Sequence, residues 1–185
     1  MKIDAPKNKR RAPLRPLNAP TLALTCLGLG FLRPAPGTWG SMPPPAVVFV
    51  LAVAGSPPTL MLAAVAAMLL VSCVTCVAWG RYAESRFGAK DAAEVVIDET
   101  AGVCMPLFGL WIVPGLTEPD FSQRAVWSAG FCVASFVAFR AFDILKPWPA
   151  RELERYPAGW GVLADDLAAG LYAAGIVVLG ALLTN

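Results

Sequence analysis

Residues 59–79 (TLMLAAVAAMLLVSCVTCVAW) form a run of 21 residues without a single charge. At about 1.5 Å per residue, a helix of this length crosses the ~30 Å hydrocarbon core of a bilayer. Charged residues make up only 15% of the chain, whereas soluble domains carry about 25%. We therefore predict a membrane protein. The alternative is a soluble all-α domain in which shorter apolar runs are core helices.

Three more apolar segments, at 101–116, 125–145 and 162–183, predict further spans. Residues 43–54 are apolar but short and bracketed by prolines, so they either cross once or re-enter on the same side. The prediction is an all-α, polytopic membrane helical bundle with four to five spans. Broken or short helices surround a re-entrant Pro/Gly loop at 31–41.

Six of the fifteen basic residues fall within the first fifteen positions. We predict that residues 1–20 are a disordered basic N-terminal tail and that residues 21–185 form one helical membrane domain. The apolar part after the tail lacks the cleavage site of a secretory signal. The formal net charge is only +2, so we expect no nucleic-acid partner, and no protein partner is evident.

The connectors at 80–94 and 146–161 carry three Lys or Arg each and the tail carries six, whereas the loop at 117–124 has one Arg and two acids. Lys and Arg concentrate on the cytoplasmic side of membrane proteins. The tail and both of these connectors are therefore predicted to be cytoplasmic. Five crossings fit this arrangement, and four result if residues 43–54 re-enter.

Five carboxylates lie at the predicted cytoplasmic ends of three spans: Asp98, Glu99, Asp143, Asp165 and Asp166. Ionisable groups in spans are costly and often functional. Clustered carboxylates repel one another unless a cation neutralises them, and Mg²⁺ binds through a few carboxylates, waters and phosphate oxygens. The acids therefore predict a Mg²⁺ site. The alternative is that they only cap helix N-termini.

The spacing of nearby residues supports one shared site. Asp98 and Asp166 are each followed four residues later by glycine (Gly102 and Gly170), which allows a partner helix to approach closely. Arg140, Asp143 and Lys146 recur every third residue and share a helix face. The two basic side chains either contact phosphate or only extend to the membrane surface.

Several enzyme classes are excluded by composition. The chain has no histidine, which removes Ser-His-Asp hydrolases, histidine-containing zinc sites and phosphohistidine phosphatases. A cysteine phosphatase loop, a D-x-D motif and a P-loop are also absent. Metal chemistry based on carboxylates remains.

Four motifs, APGTWGS, IDETAG, FRAFDILKPWP and LADDLAAG, occur in this order between about residues 28 and 180. Together they resemble the phosphatidylglycerophosphatase A family. The resemblance implies a bacterial inner-membrane, Mg²⁺-dependent enzyme whose active site faces the cytoplasm. It implies hydrolysis of phosphatidylglycerophosphate, a membrane phospholipid, to phosphatidylglycerol and inorganic phosphate.

On this basis Asp98, Asp143 and Asp166 are the predicted catalytic residues, and with Glu99 and Asp165 they hold one or two Mg²⁺ ions. The predicted phosphate-binding residues are Arg33, Gly37, Thr38, Gly40, Ser41, Arg140 and Lys146. A plain turn explains the glycines of residues 36–41 equally well. Whether water or a carboxylate attacks phosphorus, and which lipid head group is preferred, stay open at this point.

Two other functions compete with this interpretation. A CDP-alcohol phosphotransferase also binds metal through aspartates, but its D-G-x-x-A-R pattern is absent here. A small transporter or cation channel with a carboxylate-lined site would place acids at several depths, whereas here they gather at one end.

Overall fold

The structure, a computed structural model, describes residues 17–184. Most of the predicted basic tail, residues 1–16, lies outside them. The described residues form helices and connecting segments without a strand. The α-helices are α1 (Ala19–Leu24), α2 (Pro36–Gly40), α3 (Pro43–Val53), α4 (Pro58–Phe87), α5 (Ile97–Leu107), α6 (Phe121–Leu145), α7 (Ala150–Leu153) and α8 (Gly159–Thr184). The predicted all-α class is confirmed.

Three helices, α4, α6 and α8, are long and apolar enough to cross a membrane. They contain the predicted spans at 59–79, 125–145 and 162–183. Many of their large apolar side chains are exposed, as in Val71, Val133 and Leu179. Lipid is the solvent in which such a surface is stable.

The other two apolar segments form short helices. Both α3 and α5 have 11 residues, or about 16 Å at 1.5 Å per residue, which is less than a bilayer core. Proline limits α5, because Pro106 lies in its last turn and short 3₁₀ turns follow it. The predicted count of four to five crossings is therefore not confirmed, and three helices of spanning length are found in residues 17–184.

Helix α5 is apolar because it lies inside the protein. Ala101, Val103, Cys104 and Leu107 are fully buried, and α5 packs against α4, α6 and α8. An apolar run does not distinguish burial in protein from burial in lipid. Here the surrounding helices, rather than lipid, cover this segment.

Two glycines set the distance between α5 and α8. An added Cβ at Gly170 would overlap the carbonyl oxygen of Gly102, and one at Gly102 would lie 2.7 Å from the carbonyl oxygen of Asp166. The predicted close approach beside the acids is therefore confirmed. Contacts of this kind hold helices together where lipid weakens the hydrophobic drive.

The charged helix ends and connectors lie at one end of the bundle. Helices α4 and α6 end there and α5 and α8 begin there, joined by the 88–96 connector and by α7. Among the described residues, Arg124 is the only Lys or Arg at the opposite end. The acid-bearing end is thus the basic end as well.

Candidate active site

Three carboxylates meet at the acid-bearing end of the bundle. One oxygen from each of Asp98, Glu99 and Asp166 lies within 4.8 Å of the other two. Asp98 and Asp166 are buried, with 2% and 4% of their surface exposed. Asp98 and Glu99, both in the first turn of α5, belong to this cluster, whereas Asp165 stays outside it.

This cluster fits a divalent cation. Its atoms are carboxylate oxygens, the ligands that hard cations prefer. Glu99 Oε2 is buried and has no hydrogen-bond partner among the described residues. A buried carboxylate oxygen without a partner is costly. A cation bound by all three groups would satisfy Glu99 Oε2 and neutralise the repulsion between the acids.

Burial also disturbs the protonation of the two acids on α5. It raises the pKa of Asp98 to about 6. Burial and, next, the charge of Asp98 raise the pKa of Glu99 well above its ordinary value. Metal binding favours the ionised form and opposes both shifts.

Asp143 and Asp165 lie beside the cluster. All five predicted carboxylates line one pocket of about 270 Å³, which we call the acidic pocket. Asp143 Oδ2 is 2.6 Å from Arg140 Nη1, and Asp165 Oδ2 is 2.5 Å from Lys146 Nζ. Three segments distant in sequence therefore supply one pocket, as the sequence predicted.

Lys146 is the basic residue that lines the acidic pocket. It ends α6 in a left-handed conformation with a φ of 44°, which turns the chain back toward α8. Its amine also lies 3.4 Å from Glu154 Oε2. Burial alone would lower the pKa of Lys146, but the hydrogen bond and charge of Asp165, with Glu154, raise it, so the amine is charged.

Arg140 lies behind the wall of the pocket. Its side chain is 20% exposed and contacts Asp143, and it borders Gly37 of α2. It is not among the described residues that line the acidic pocket. From here it can hold Asp143 in position.

The second half of the predicted Pro/Gly loop, residues 36–40, forms the short helix α2. An added Cβ at Gly37 would overlap Glu99 Oε1, and one at Gly40 would overlap Val96. Thr100 Oγ1 donates a 2.7 Å hydrogen bond to the Gly40 carbonyl oxygen. The two glycines therefore let α2 pack directly against the start of α5 and the Glu99 carboxylate.

Three side chains predicted to bind phosphate lie outside the acidic pocket. Ser41 is fully buried, and its Oγ donates a 2.7 Å hydrogen bond to the Gly37 carbonyl oxygen. Thr38 is half-buried on α2. Arg33 is 63% exposed and pairs with Glu94 at 3.1 Å. None of these three is among the described residues that line the acidic pocket, and neither are Gly37 and Gly40.

Sequence reasoning missed two charged residues. Asp91, in the connector before α5, lines the acidic pocket, and Glu154 binds the Lys146 amine. Both belong to polar connectors in which charged residues are ordinary, so no pattern in the sequence distinguishes them. Only the folding of these connectors over the end of the bundle brings them to the pocket.

Comparison with known proteins gives a consistent result. The family model described as phosphatidylglycerophosphatase A matches residues 22–181. A phosphatidylglycerophosphatase A of Haemophilus influenzae is 32% identical over 163 residues, covering 87% of this chain and 88% of its own. The Escherichia coli protein of the same name is 36% identical over 92 residues, covering 49% of this chain and 45% of its own.

A Bacteroides thetaiotaomicron protein, provisionally named a phosphatidylinositol-3-phosphatase, is 34% identical over 158 residues. The match covers 85% of this chain and 91% of that protein. No solved structure matches the chain.

Proposed function

The chain belongs to the phosphatidylglycerophosphatase A family, and we propose that it is a Mg²⁺-dependent hydrolase of phosphatidylglycerophosphate. Its family and its relatives make it a lipid phosphatase. The proposed reaction adds water to the terminal phosphorus and breaks the ester bond to glycerol. The products are phosphatidylglycerol and inorganic phosphate.

The observation that carries the proposal is the meeting of Asp98, Glu99 and Asp166 within 4.8 Å. These three carboxylates are the proposed Mg²⁺ ligands, and Asp143 and Asp165, which line the same pocket, are the proposed additional ligands. When bound, Mg²⁺ supplies positive charge that neutralises the phosphate and promotes ionisation of the attacking water. Carboxylate oxygens and phosphate are the environment in which Mg²⁺ commonly binds.

The remaining charged residues have supporting roles in the proposal. Lys146 faces the pocket with a charged amine and is the proposed phosphate contact. Arg140 contacts Asp143 and orients that carboxylate. Gly37 keeps the wall next to Glu99 free of a side chain, so the Glu99 carboxylate retains its position in the cluster.

We also propose that the protein lies in the bacterial inner membrane with this pocket facing the cytoplasm. The support is the excess of Lys and Arg at the acid-bearing end, with Arg124 at the opposite end. The proposed partner is the phospholipid substrate in the membrane. The proposal includes no protein partner and no nucleic acid.

The similarity to the Bacteroides thetaiotaomicron protein favours a second candidate substrate, a phosphatidylinositol phosphate. Both candidates are membrane phosphomonoesters, and the same carboxylates and Lys146 would serve either. The difference between them lies in the head group. The transporter or channel alternative is not favoured by the family match.

Phosphate release by the purified protein in detergent micelles tests the proposal. We expect release from phosphatidylglycerophosphate with Mg²⁺ and none in excess EDTA, with recovery when Mg²⁺ is restored. Phosphatidylinositol-3-phosphate and phosphatidic acid, assayed in parallel, define the head-group preference. Full activity in EDTA would refute the metal requirement, and preference for another lipid would refute the proposed substrate.

A further inference from the structure

We propose that an apolar groove between α6 and α8 binds an acyl chain of the phospholipid substrate while the phosphate occupies the acidic pocket. This proposal rests on the lipid phosphatase function proposed above. It assigns a ligand, a saturated or unsaturated hydrocarbon chain, to a part of the molecule that the chemistry of the pocket does not use.

The groove has a volume of about 600 Å³ and almost wholly apolar walls. Small residues on the facing helices keep it open, notably Gly130 and Ala134 on α6 and Gly180 on α8. An added Cβ at Gly130 or Gly180 would meet no atom within 4 Å. Larger side chains border the space, among them Trp127 and Ile176, which are themselves 45% and 54% exposed.

The groove continues the line between the helices that hold the acids. Asp143 on α6 and Asp166 on α8 line the acidic pocket, and the groove lies between the same two helices. At about 1.5 Å per residue, it runs from Ala138, about 8 Å from Asp143, to Val126, about 26 Å away. On α8 the groove begins at Ile176, about 15 Å from Asp166. A lipid chain extends about 15 Å below its ester groups, so a chain whose phosphate lies in the acidic pocket enters the groove with its distal half.

An aromatic pair lies between the two compartments. The rings of Phe142 and Tyr172 have centroids 5.4 Å apart, and the Tyr172 hydroxyl donates a 2.7 Å hydrogen bond to the Trp148 carbonyl oxygen. Aromatic side chains with a polar group are typical of the level where the hydrocarbon ends. Their position is the level at which the ester groups of a bound lipid would lie.

A second apolar groove, about 370 Å³, lies between α3 and α6 near Phe49 and Ala129. Its α3 wall carries none of the clustered carboxylates. The groove between α6 and α8 is favoured because both of its walls lead to the acids. The second groove supplies a comparison position for the experiment.

Leucine at Gly130 or Gly180 would fill the proposed chain site without a backbone clash. The control is Gly175→Leu, which makes the same change on α8 at a position where a Cβ also meets nothing within 4 Å and which does not line the groove. Each variant is assayed with dihexanoyl and dipalmitoyl phosphatidylglycerophosphate in mixed micelles. The ratio of the two kcat/KM values measures how much the part of the acyl chain beyond the sixth carbon contributes to the reaction.

We expect Gly130→Leu and Gly180→Leu to lower kcat/KM for the dipalmitoyl lipid by about tenfold, because leucine displaces roughly two methylene groups of the chain. Their values for the dihexanoyl lipid, and both values for Gly175→Leu, should stay at the wild-type level. An equal loss on both lipids, or the same loss in Gly175→Leu, would overturn the proposal. So would a chain-length effect confined to Ala129→Leu, in the other groove.

Photocrosslinking gives a result that does not depend on turnover. A phosphatidylglycerophosphate with a diazirine in the middle of one acyl chain should label peptides within 126–138 and 176–181. Labelling confined to other segments would overturn the proposal. A wild-type protein that labels in the groove but releases no phosphate would instead contradict the proposed function.

Discussion

Glycine has opposite roles near the acidic pocket, where α8 meets α5, and in the apolar groove, where α8 meets α6. At the acidic pocket, Gly170 packs against the backbone of Gly102, and no side chain fits. In the apolar groove, Gly130 and Gly180 face open space. Backbone contact fixes the carboxylates at one end, whereas missing side chains leave room for an apolar ligand at the other. The same residue type therefore serves precise positioning in one region and open volume in the other.

The largest expected effect breaks the acidic pocket directly. Asp98→Asn or Asp166→Asn removes a charge from a buried cluster of three carboxylates, and we expect kcat to fall by about a thousandfold, the scale of losing a catalytic metal ligand. Phosphate release measures this loss, and size-exclusion chromatography verifies the fold. The matched control is Glu118→Gln at the other end of the bundle, which should keep wild-type activity. A variant of either aspartate that retains the wild-type rate would remove that residue from the site.

The next largest effect is a difference in stability between alanine substitutions at a packed glycine and at an open one. Gly170→Ala places a methyl group on the Gly102 carbonyl, so we expect the thermal midpoint in detergent to fall, with a loss of about 2 kcal/mol in stability and reduced activity. Gly175→Ala, in open space, should raise stability by about 0.5–1 kcal/mol because alanine favours helix. Equal midpoints for the two variants would contradict the difference between packed and open glycines.

A smaller effect is expected from substituting the two basic residues Lys146 and Arg33, both predicted to bind phosphate. Lys146→Met removes a charge that lines the pocket, and we expect kcat/KM to fall by about a hundredfold, consistent with loss of a charge-assisted contact. Arg33→Met breaks an exposed ion pair, worth at most about 1 kcal/mol, and should leave kcat/KM unchanged. Steady-state kinetics at saturating Mg²⁺ distinguish the two. If kcat/KM fell as much in Arg33→Met as in Lys146→Met, Arg33 would have to be counted among the phosphate-binding residues.

The smallest expected effect concerns α2. Ser41→Ala removes a hydroxyl that bonds back to the Gly37 carbonyl oxygen, and the Ser41 amide still donates to the same oxygen at 2.9 Å. We expect a loss of stability of no more than about 1 kcal/mol and kcat within about threefold of wild type. A much larger fall in kcat at unchanged stability would show that the hydroxyl acts on the substrate.

The sequence predicts the long helices and the meeting of the acids because both depend on strong local signals. A charge is rare in an apolar span, so five carboxylates at the ends of three such segments indicate one shared site. The glycines four residues after Asp98 and Asp166 carry a similar signal for close packing. The structure bears out both the convergence of the acids in one pocket and the close approach.

The partners of individual charges are not predictable in this way. Lys146 binds Asp165 because one residue in a left-handed conformation reverses the chain after α6. Arg33 pairs with Glu94, 61 residues away, and Asp91 reaches the pocket from a polar connector. These contacts depend on how connectors fold over the end of the bundle. Hydropathy and spacing carry no information about that step.

The central claim is that Asp98, Glu99 and Asp166 bind one divalent cation together. Titration of the purified protein with Mn²⁺, followed by electron paramagnetic resonance without substrate, measures that binding directly. The account predicts a saturable site in the wild type and in Glu118→Gln that is competed by Mg²⁺ and is lost in Asp166→Asn and in Asp98→Asn. Unchanged Mn²⁺ affinity in both aspartate variants, with the fold intact, would contradict it.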